Sequence, residues 1–445
     1  MKELRDETRF PVVPLKHAVS PTRPITYGIV QCGPDFPGGV PYIRPADMED
    51  EEGITEPESL LRTDPEIAFS YRRSTVRPKD IVLSIGPSFG KVMIVPTELD
   101  GANLTQGTAR VASNADHDSR FIFWSLRSSF CKQQWEARVS GATFRALNLG
   151  PLAETLLPDP PPAEQRAIAA FLDRETARVD RLMAKKRELI ERLKEKRTAL
   201  ISRTVTRGLP PAAARASGLP ANPPLKPSGV EWIGDIPKQW AVMKVKFVAK
   251  MESGHTPSRS EPSNWVDDEC VIPWVSLNDT KHLKEHDYIE DTAIRISEEG
   301  MKNSSAHLLP AGVVVFTRDA TIGLTAITTR PAAVSQHIIA WVPGPKITPK
   351  YLLLSFKVMQ QYLESFTFGS TLKTIGMTDV RKLVTPVPPL PEQAAIAAYL
   401  DEETAKLGAL VGKVEEAVER LQEYRIALIT AAVTGKIDVR KESRG

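Results

Sequence analysis

Cysteines and long apolar runs are nearly absent from this 445-residue sequence. It contains three scattered cysteines, Cys32, Cys131 and Cys270, with no C-x-x-C spacing, so we expect no structural disulfides and a reducing, cytoplasmic location. No run of 18 apolar residues is present, and the N-terminal MKELRDETRF is charged where a secretory signal would be apolar. The sequence therefore predicts neither export nor a membrane span.

A surplus of charge of one sign is also missing. The 58 basic and 55 acidic side chains leave a formal net charge of +3, which is too small to indicate a nucleic-acid-binding protein by itself. At roughly 150 residues per domain, the length suggests about two to four domains, each able to bury a core without disulfides or metals.

A long internal repeat is the main feature that the sequence does contain. Residues 164–206 match residues 392–434 without a gap, at an offset of 392 − 164 = 228, and about two dozen of the 43 aligned residues are identical. G-x-T elements at residues 141–143 and 369–371 match at the same offset. A match of this length indicates a duplicated unit.

Each copy of the repeat predicts a long amphipathic helix that begins beside a proline, Pro162 or Pro391. Apolar residues recur at steps of three and four, the spacing of a coiled-coil seam. Two arrangements remain open: the helices pair with each other, which two matching seams favour, or each packs on its own domain. The pattern also leaves open whether residues 173–176 interrupt the first helix. The predicted seam comprises Val179, Leu182, Leu189, Leu193, Leu200, Leu407, Leu410, Val414, Leu421 and Leu428.

Residues 208–229 are rich in proline, alanine and glycine, which is typical of a linker. Before and after it, two regions share a pattern: a short strand, a strand–turn–strand segment (DIVLSIGPSFGKVMIVP, GVVVFTRDATIGLTAITT), a glutamine motif and a helical stretch. The predicted fold class is mixed α/β (α+β), with two related globular domains, each followed by a long helix. The predicted boundaries are 1–157 for the first domain, 158–207 for the first helical spacer, 208–229 for the linker, 230–390 for the second domain, and 391–445 for the second helical spacer and C-terminal tail.

Taken together, these motifs resemble the specificity subunits of type I restriction–modification systems over nearly the whole chain. The resemblance rests on the duplicated P-x-x-EQ-x-x-I-A-x-x-L-D helix ending in R-x-A-L-I-x-x-x-V-T, and on GVEWIGDIPKQW at residues 229–240. The segments GPSFGKVMIVP and TRDATIGLTAI and the G-x-T elements also fit the family. The first domain departs from the pattern, since it opens with RFPVVPLKHAV and lacks a GVEWIGDIP copy.

This resemblance implies two target-recognition domains, each recognising one half of a split, asymmetric DNA site. It implies that the two helices form an antiparallel coiled coil with internal pseudo-two-fold symmetry, which spaces the domains and docks two methyltransferase subunits. The implied partners are double-stranded DNA, those two subunits and, in the full complex, a translocase–nuclease subunit. The chain would direct adenine methylation and restriction without a catalytic site, cofactor or metal of its own. S-adenosylmethionine would serve the methyltransferase, and ATP and Mg the nuclease subunit.

Candidate DNA-binding residues were chosen by chemistry, because phosphates are bound by Arg and Lys, and base edges by Arg, Lys, Asn, Gln, Ser or Thr. For each one, a solvated surface loop is the competing interpretation. The basic first helix is expected to dock a partner or to be solvated instead of touching DNA. The candidates are Arg44, Arg72, Arg73, Arg77, Lys79, Ser88 and Lys91 in the first domain, and His255, Ser258, Arg259, Asn264, Arg318 and Lys373 in the second.

Two alternatives place a different function in the chain. A self-contained methyltransferase or nuclease would need a catalytic loop, but Asp159-Pro160-Pro161 is followed by proline where an adenine methyltransferase has an aromatic residue, and no phosphate-binding glycine loop is present. His282 and His286 have the i, i+4 spacing of metal ligands but lie in a polar segment without an evident third ligand. A DNA-independent coiled-coil scaffold would explain the helices but not two elaborate α/β domains.

Overall fold

The computed structural model describes residues 6–49, 53–54, 56–86, 89–138, 146–265, 270–367 and 373–442. The chain forms two compact units: unit 1 comprises Met1–Glu188 with Val414–Gly445, and unit 2 comprises Leu189–Lys413. In chain order the helices are α1 Leu15–Ala18, α2 Pro65–Ser70, α3 Ser119–Arg127, α4 Ser129–Glu136, α5 Leu149–Ala153, α6 Pro162–Arg207, α7 Pro211–Ala216, α8 Thr280–Glu285, α9 Glu298–Lys302, α10 Pro349–Glu364, α11 Met377–Val380, α12 Leu390–Val433 and α13 Val439–Glu442.

The strands of the described residues divide between two α/β domains, with those of residues 12–158 in unit 1 and those of residues 225–387 in unit 2. Their bounds are β1 Val12–Pro14, β2 Thr26–Tyr27, β3 Val40–Ile43, β4 Arg62–Thr63, β5 Ile81–Ser84, β6 Val92–Ile94, β7 Asn103–Leu104, β8 Thr108–Val111, β9 Leu156–Pro158, β10 Leu225–Pro227, β11 Asp235–Pro237, β12 Ala241–Lys244, β13 Ala249–Ser253, β14 Ile272–Val275, β15 Tyr288–Ile289, β16 Arg295–Ile296, β17 Val314–Thr317, β18 Thr325–Thr328, β19 Ala333–Val334, β20 Ile338–Pro343 and β21 Val384–Val387.

In unit 1, an antiparallel sheet has the strand order β2-β8-β5-β6, and a smaller sheet has the order β4-β3-β7. The predicted strand–turn–strand segment forms the β5–β6 pair, in which Ile81 lies opposite Ile94. The β3–β7 pair is parallel, with Ile43 opposite Leu104. Phe121 and Trp124 of α3 are fully buried in the core with apolar residues of β5, β6 and β8, because the apolar face of α3 packs inward.

Unit 2 repeats this scheme. Its larger sheet has the order β13-β20-β17-β18-β15, and its smaller sheet has the order β16-β14-β19 with a parallel β14–β19 pair. The second predicted strand–turn–strand segment forms the antiparallel β17–β18 pair. Each domain is also closed by an equivalent antiparallel pair, β1–β9 in unit 1 and β12–β21 in unit 2. The first domain therefore starts at the same structural point as the second, although its sequence lacks the GVEWIGDIP motif.

The glutamine of the repeated EQ motif joins each long helix to a helix of its own domain. In unit 1, Gln165 Oε1 accepts a hydrogen bond from the backbone amide of Asp118, the N-cap residue of α3, at 2.8 Å. In unit 2, Gln393 Oε1 accepts from the amide of Thr348, the N-cap residue of α10, also at 2.8 Å. Both glutamines are buried. The motif recurs because the same junction is built twice.

The aspartate of the repeated LD motif makes a second junction. Asp173 Oδ1 accepts from Arg120 Nε at 2.6 Å and from Trp124 Nε1 at 2.8 Å in unit 1. Its counterpart Asp401, 228 residues later, pairs with Lys350 Nζ at 2.8 Å in unit 2. Arg120 and Lys350 each lie near the N-terminus of the helix that the glutamine binds, so each long helix is held to its domain at two points.

The long helices α6 and α12 run antiparallel in unit 1. In unit 1, Arg425 Nε of α12 donates to Asp180 Oδ1 of α6 at 2.9 Å, and farther along, Arg440 approaches Glu164 at 3.8 Å. Helix α6 is continuous through residues 173–176, which settles the question that the sequence pattern left open.

The buried seam corrects the predicted one at three positions. Val179, Leu193, Val414 and Leu428 are buried as predicted, and Leu200, Leu407 and Leu421 are half-buried. Leu182, Leu189 and Leu410, however, are 43–44% exposed. The step after Val179 is four residues long instead of three, so the neighbouring apolar residues take the inward positions. These are the buried Met183 and Ile190 and the half-buried Val411.

The predicted linker, residues 208–229, has structure of its own. It contains α7 and β10, and β10 pairs with β11 of the GVEWIGDIPKQW motif, with Leu225 opposite Pro237. Leu209 and Ala214 are buried in the core of unit 2. Within the part of the chain that the structure describes, no helix is long and apolar enough to cross a membrane.

Candidate nucleic-acid interface

In unit 1, four of the candidate cations lie on one exposed segment. Arg72, Arg73, Arg77 and Lys79 follow α2 and are all exposed. The guanidinium of Arg72 lies 4.9 Å from the ring centroid of Phe69, which is itself 67% exposed. We call residues 69–79 the basic segment. Several exposed cations on one segment are suited to binding the phosphates of a nucleic-acid backbone.

Two less exposed arginines fix the backbone of the basic segment. Arg110, which is buried on β8, donates to the carbonyl oxygens of Arg73 at 2.5 Å and Thr75 at 2.8 Å. Arg23 forms a bidentate pair with Asp80 at 2.7 and 2.5 Å. Burial lowers the pKa of Arg110 to about 10, and the positive charge of Arg23 contributes to this shift. The segment is therefore presented by an anchored backbone. Neither Arg23 nor Arg110 was predicted as part of this site, because both lie far from the basic segment along the chain.

The remaining first-domain candidates are less free. Lys91 Nζ donates to the carbonyl oxygens of Met48 at 2.7 Å and Pro45 at 3.1 Å, so its ammonium group holds a loop in place. Arg44 is partly exposed, but its guanidinium pairs with Asp47 at 2.5 Å, and the hydrogen bond to Asp47 raises the pKa of Arg44. Ser88 and both G-x-T elements lie outside the described residues.

In unit 2, three candidates from distant parts of the sequence share one site. Arg318 follows β17, and its backbone amide donates to the carbonyl oxygen of His337 at 3.0 Å. The carbonyl oxygen of Lys373 accepts from the amide of Ala320 at 2.9 Å, so the exposed Lys373 lies beside the same turn. His255 follows β13, and the hydroxyl of the next residue, Thr256, donates to Gln336 Oε1 at 2.5 Å.

A buried carboxylate organises this second-domain site. Asp319, which is 6% exposed, accepts from His337 Nδ1 and from Thr374 Oγ1, each at 2.7 Å, and lies 3.5 Å from Arg318 Nε. We call the set Thr256, Arg318, Asp319, Gln336, His337 and Thr374 the Asp319 cluster. A polar cluster held from below by one carboxylate presents its donors and acceptors in a fixed arrangement. The motif around Gln336 is visible in the sequence, but Asp319, His337 and Thr374 were not predicted, since only the fold brings them to Arg318.

The third group of candidates lies on the loop that follows β13. Ser258 and Arg259 are exposed, and Arg259 lies 5.7 Å from the ring centroid of Trp265. Asn264 is only 1% exposed, and its amide donates to the carbonyl oxygen of Ser258 at 3.1 Å and accepts from Asn303 at 3.2 Å. Asn264 thus holds the loop together, and in this arrangement its side chain is inaccessible to a base edge.

The candidate catalytic and metal-binding residues make contacts that hold local parts of the fold together. His282 Nε2 lies 2.8 Å from the carbonyl oxygen of Tyr288, and the rings of His282 and His286 are 4.6 Å apart. Asp159 lies where β9 leads into α6, 3.2 Å from His117 Nε2. Among the residues that the structure describes, no group of three or more His, Cys, Asp or Glu side chains could hold a metal ion.

Comparison with known proteins identifies one family across both units. The family model for the type I restriction modification DNA specificity domain matches residues 34–192 and again residues 237–420. Two matches in one chain agree with the duplicated fold, and together they cover well over half of the sequence.

Individual relatives are similar over shorter stretches. The MjaIX specificity subunit of a type I restriction enzyme from Methanocaldococcus jannaschii is 32% identical over 170 residues, 38% of this chain and 38% of that protein. The EcoBI specificity subunit from Escherichia coli is 29% identical over 167 residues, 37% of this chain and 35% of that protein. The matched regions thus span little more than a third of the length of these relatives.

Two solved structures share the fold over almost the whole chain. A chain from a structural study of assembly and conformational transition in the type I R-M system has a TM-score of 0.66 at 20% identity, covering 96% of this chain and 98% of that one. The HsdS subunit from Thermoanaerobacter tengcongensis has a TM-score of 0.55 at 18% identity, covering 96% and 97%. At these identities the likeness establishes the fold alone.

Proposed function

The chain belongs to the type I restriction modification DNA specificity domain family, and on that premise we propose that it is the DNA-recognising subunit of such a system. It recognises a split, asymmetric DNA site, with one half-site for each α/β domain, and directs adenine methylation to it. With a nuclease subunit it also directs restriction. In this proposal the chain has no catalytic role of its own.

The observation that carries the proposal is one fold built twice with different exposed surfaces. Both domains share the same strand pairings, including the parallel β3–β7 and β14–β19 pairs. The first presents the cations of the basic segment, whereas the second presents the mixed donors and acceptors of the Asp319 cluster. Because base recognition depends on exposed side chains and not on the fold, two such domains would recognise different half-sites.

The small net charge is compatible with this role. Each phosphate that a Lys or Arg neutralises releases bound counterions, and tight binding by one chain alone needs several such contacts. A subunit that binds DNA together with partners shares those contacts with them. We therefore propose weak non-specific DNA binding by the isolated chain and tighter, specific binding by the complex.

The partners and cofactors follow from the same proposal. Two methyltransferase subunits would supply the S-adenosylmethionine site, and a translocase–nuclease subunit would supply the ATP and Mg sites, all in the cytoplasm. Leu182, Leu189 and Leu410 lie on α6 and α12 outside the buried seam, where they are accessible to such partners. Their role in docking stays a prediction.

Methylome sequencing tests the proposal directly. The chain is co-expressed with its methyltransferase partner in a host that lacks this methylation, and a parallel strain expresses the methyltransferase alone. We expect N6-methyladenine in both halves of a split motif, and only when the chain is present. Methylation that is the same without the chain, or that falls on an uninterrupted motif, would contradict the proposal. A DNA-independent scaffold would leave the methylated sequence unchanged when the surface residues of either domain are replaced.

A further inference from the structure

One exposed turn has the same position and the same glutamine in both domains. In unit 1 the turn Thr105-Gln106-Gly107 links β7 to β8, and in unit 2 the turn Ser335-Gln336-His337 links β19 to β20. Each turn directly follows the short strand of the parallel pair, and both glutamines are exposed. The two glutamines are therefore equivalent residues of the duplicated domains.

The surrounding backbone holds both turns in the same way. A Cβ atom on Gly28 would lie 1.8 Å from the carbonyl oxygen of Leu104, and a Cβ on Gly254 would lie 1.5 Å from that of Val334. Only glycine permits this approach of the neighbouring segment to the residue two positions before each glutamine. The far side is also equivalent, because the amide of Ile85 donates to Gly107 and that of Arg318 donates to His337, at 2.8 and 3.0 Å.

The glutamine is kept while its neighbours differ. Gly107 in unit 1 corresponds to His337 in unit 2, and Ile85 corresponds to Arg318, so the surface around the two amides has diverged in chemistry. In unit 1 no structural need explains the glutamine, since the Gln106 side chain makes no hydrogen bond to the described residues. Beside Gln106 lies an open hollow of about 460 Å³, lined by Tyr27, Gly86 and Leu149 among others. The amide is available to a ligand outside the chain.

We propose that Gln106 and Gln336 each recognise an adenine in the major groove, one in each half-site, while the divergent residues around them recognise the bases in which the half-sites differ. In the major groove, adenine is the only base that presents an amino donor, N6, beside an acceptor, N7. A glutamine amide can therefore bind it with two hydrogen bonds, in which Oε1 accepts from N6 and Nε2 donates to N7. In unit 2, Thr256 already donates to Gln336 Oε1 at 2.5 Å, and His337 Nε2 lies 3.3 Å from Gln336 Nε2. These neighbours orient the amide before DNA arrives.

This inference rests on the proposed function, and its test uses the complete complex with its methyltransferase. Methylome sequencing compares Gln106→Leu and Gln336→Leu with the wild-type chain. Gln133→Leu is the control, because Gln133 is exposed on α4 of unit 1, away from this turn. We expect each turn variant to lose discrimination at one A·T position of one half-site only, by about 5- to 150-fold, and the control to keep the wild-type motif.

A binding measurement with the wild-type complex provides a second test, whose main result does not depend on whether a variant folds. Each adenine of the identified site is replaced in turn by 7-deazaadenine, which lacks the N7 acceptor. We expect one adenine per half-site at which the replacement weakens binding, by a factor similar to the loss of discrimination expected in the glutamine variants. That weakening should disappear in the matching glutamine variant.

The outcomes separate this inference from the function on which it rests. An unchanged motif in both variants, equal binding to every 7-deazaadenine site, or a weakening that is uniform over all sequences would overturn the adenine contact, while a split wild-type motif would leave the proposed function standing. If the wild-type chain directs no split motif at all, the proposed function itself fails.

Discussion

The hydrogen bonds of Gln393 lead to a quantitative prediction about the repeated EQ motif. The side chain is fully buried and makes three hydrogen bonds in unit 2: from the amide of Thr348, and to the carbonyl oxygens of Lys346 and Pro388, at 2.8–2.9 Å. At about 1 kcal/mol net for each bond, Gln393→Ala should destabilise the N-terminal end of α12 together with its junction to α10 by about 3 kcal/mol. Gln165 makes two such bonds in unit 1, so Gln165→Ala should cost about 2 kcal/mol.

Hydrogen exchange followed by mass spectrometry measures this loss locally, which matters because a chain of several units does not unfold in one step. Amides at residues 346–364 and 388–404 should exchange about 150-fold faster in Gln393→Ala, since 1.4 kcal/mol corresponds to a factor of ten. The exposed Gln133→Ala is the control and should change exchange little. If Gln393→Ala behaves like this control, the glutamine does not hold the junction.

Three further predictions concern the seam, a buried acid and the basic segment. Met183→Ala should destabilise unit 1 by about 2 kcal/mol and Leu182→Ala by under about 0.5 in thermal unfolding, because Met183 is 6% and Leu182 44% exposed; equal losses would contradict the seam register. Burial raises the pKa of Glu392, so its contribution to stability is present below its ordinary pKa of about 4.5 and is lost as the pH rises through the higher folded value. Glu392→Gln should remove that pH dependence and be no less stable at neutral pH. Thermal unfolding of the variant across this pH range measures it, and a pH dependence that persists in the variant would mean that another group is responsible. Replacing both Arg72 and Arg73 with glutamine should reduce the slope of log binding constant against log salt by about 0.9 per lost phosphate contact, and an unchanged slope would mean that neither binds phosphate.

The sequence predicted the duplication, the two long helices and the paired strand–turn–strand segments because these features are recorded locally. A gap-free repeat at an offset of 228 residues and a heptad-like spacing of apolar residues can both be recognised from the amino-acid sequence without a structure. The exact seam could not be recognised in this way, because Leu182 and Met183 are both apolar. Only packing against the facing helix selects between a step of three and a step of four residues along the seam.

The candidate interface was predictable in composition more than in position. The basic segment is contiguous in sequence, so its exposed cations were found directly. Lys91 and Asn264 were chosen by residue type, but the ammonium of Lys91 binds backbone carbonyls and Asn264 is buried against Asn303, contacts made by residues 39 or more positions away in sequence. Asp319 and His337 were missed for the same reason, since their site exists only once separate turns have come together.

Exchange of one domain tests whether each domain recognises its own half-site. Residues 230–390 are replaced by the corresponding region of another family member with a known, different site, and the methylome is sequenced with the same methyltransferase. We expect one half of the split motif to change to that of the donor, while the other half, assigned to the first domain, is retained. A motif that changes in both halves, or in neither, would contradict the claim that each domain recognises its own half-site.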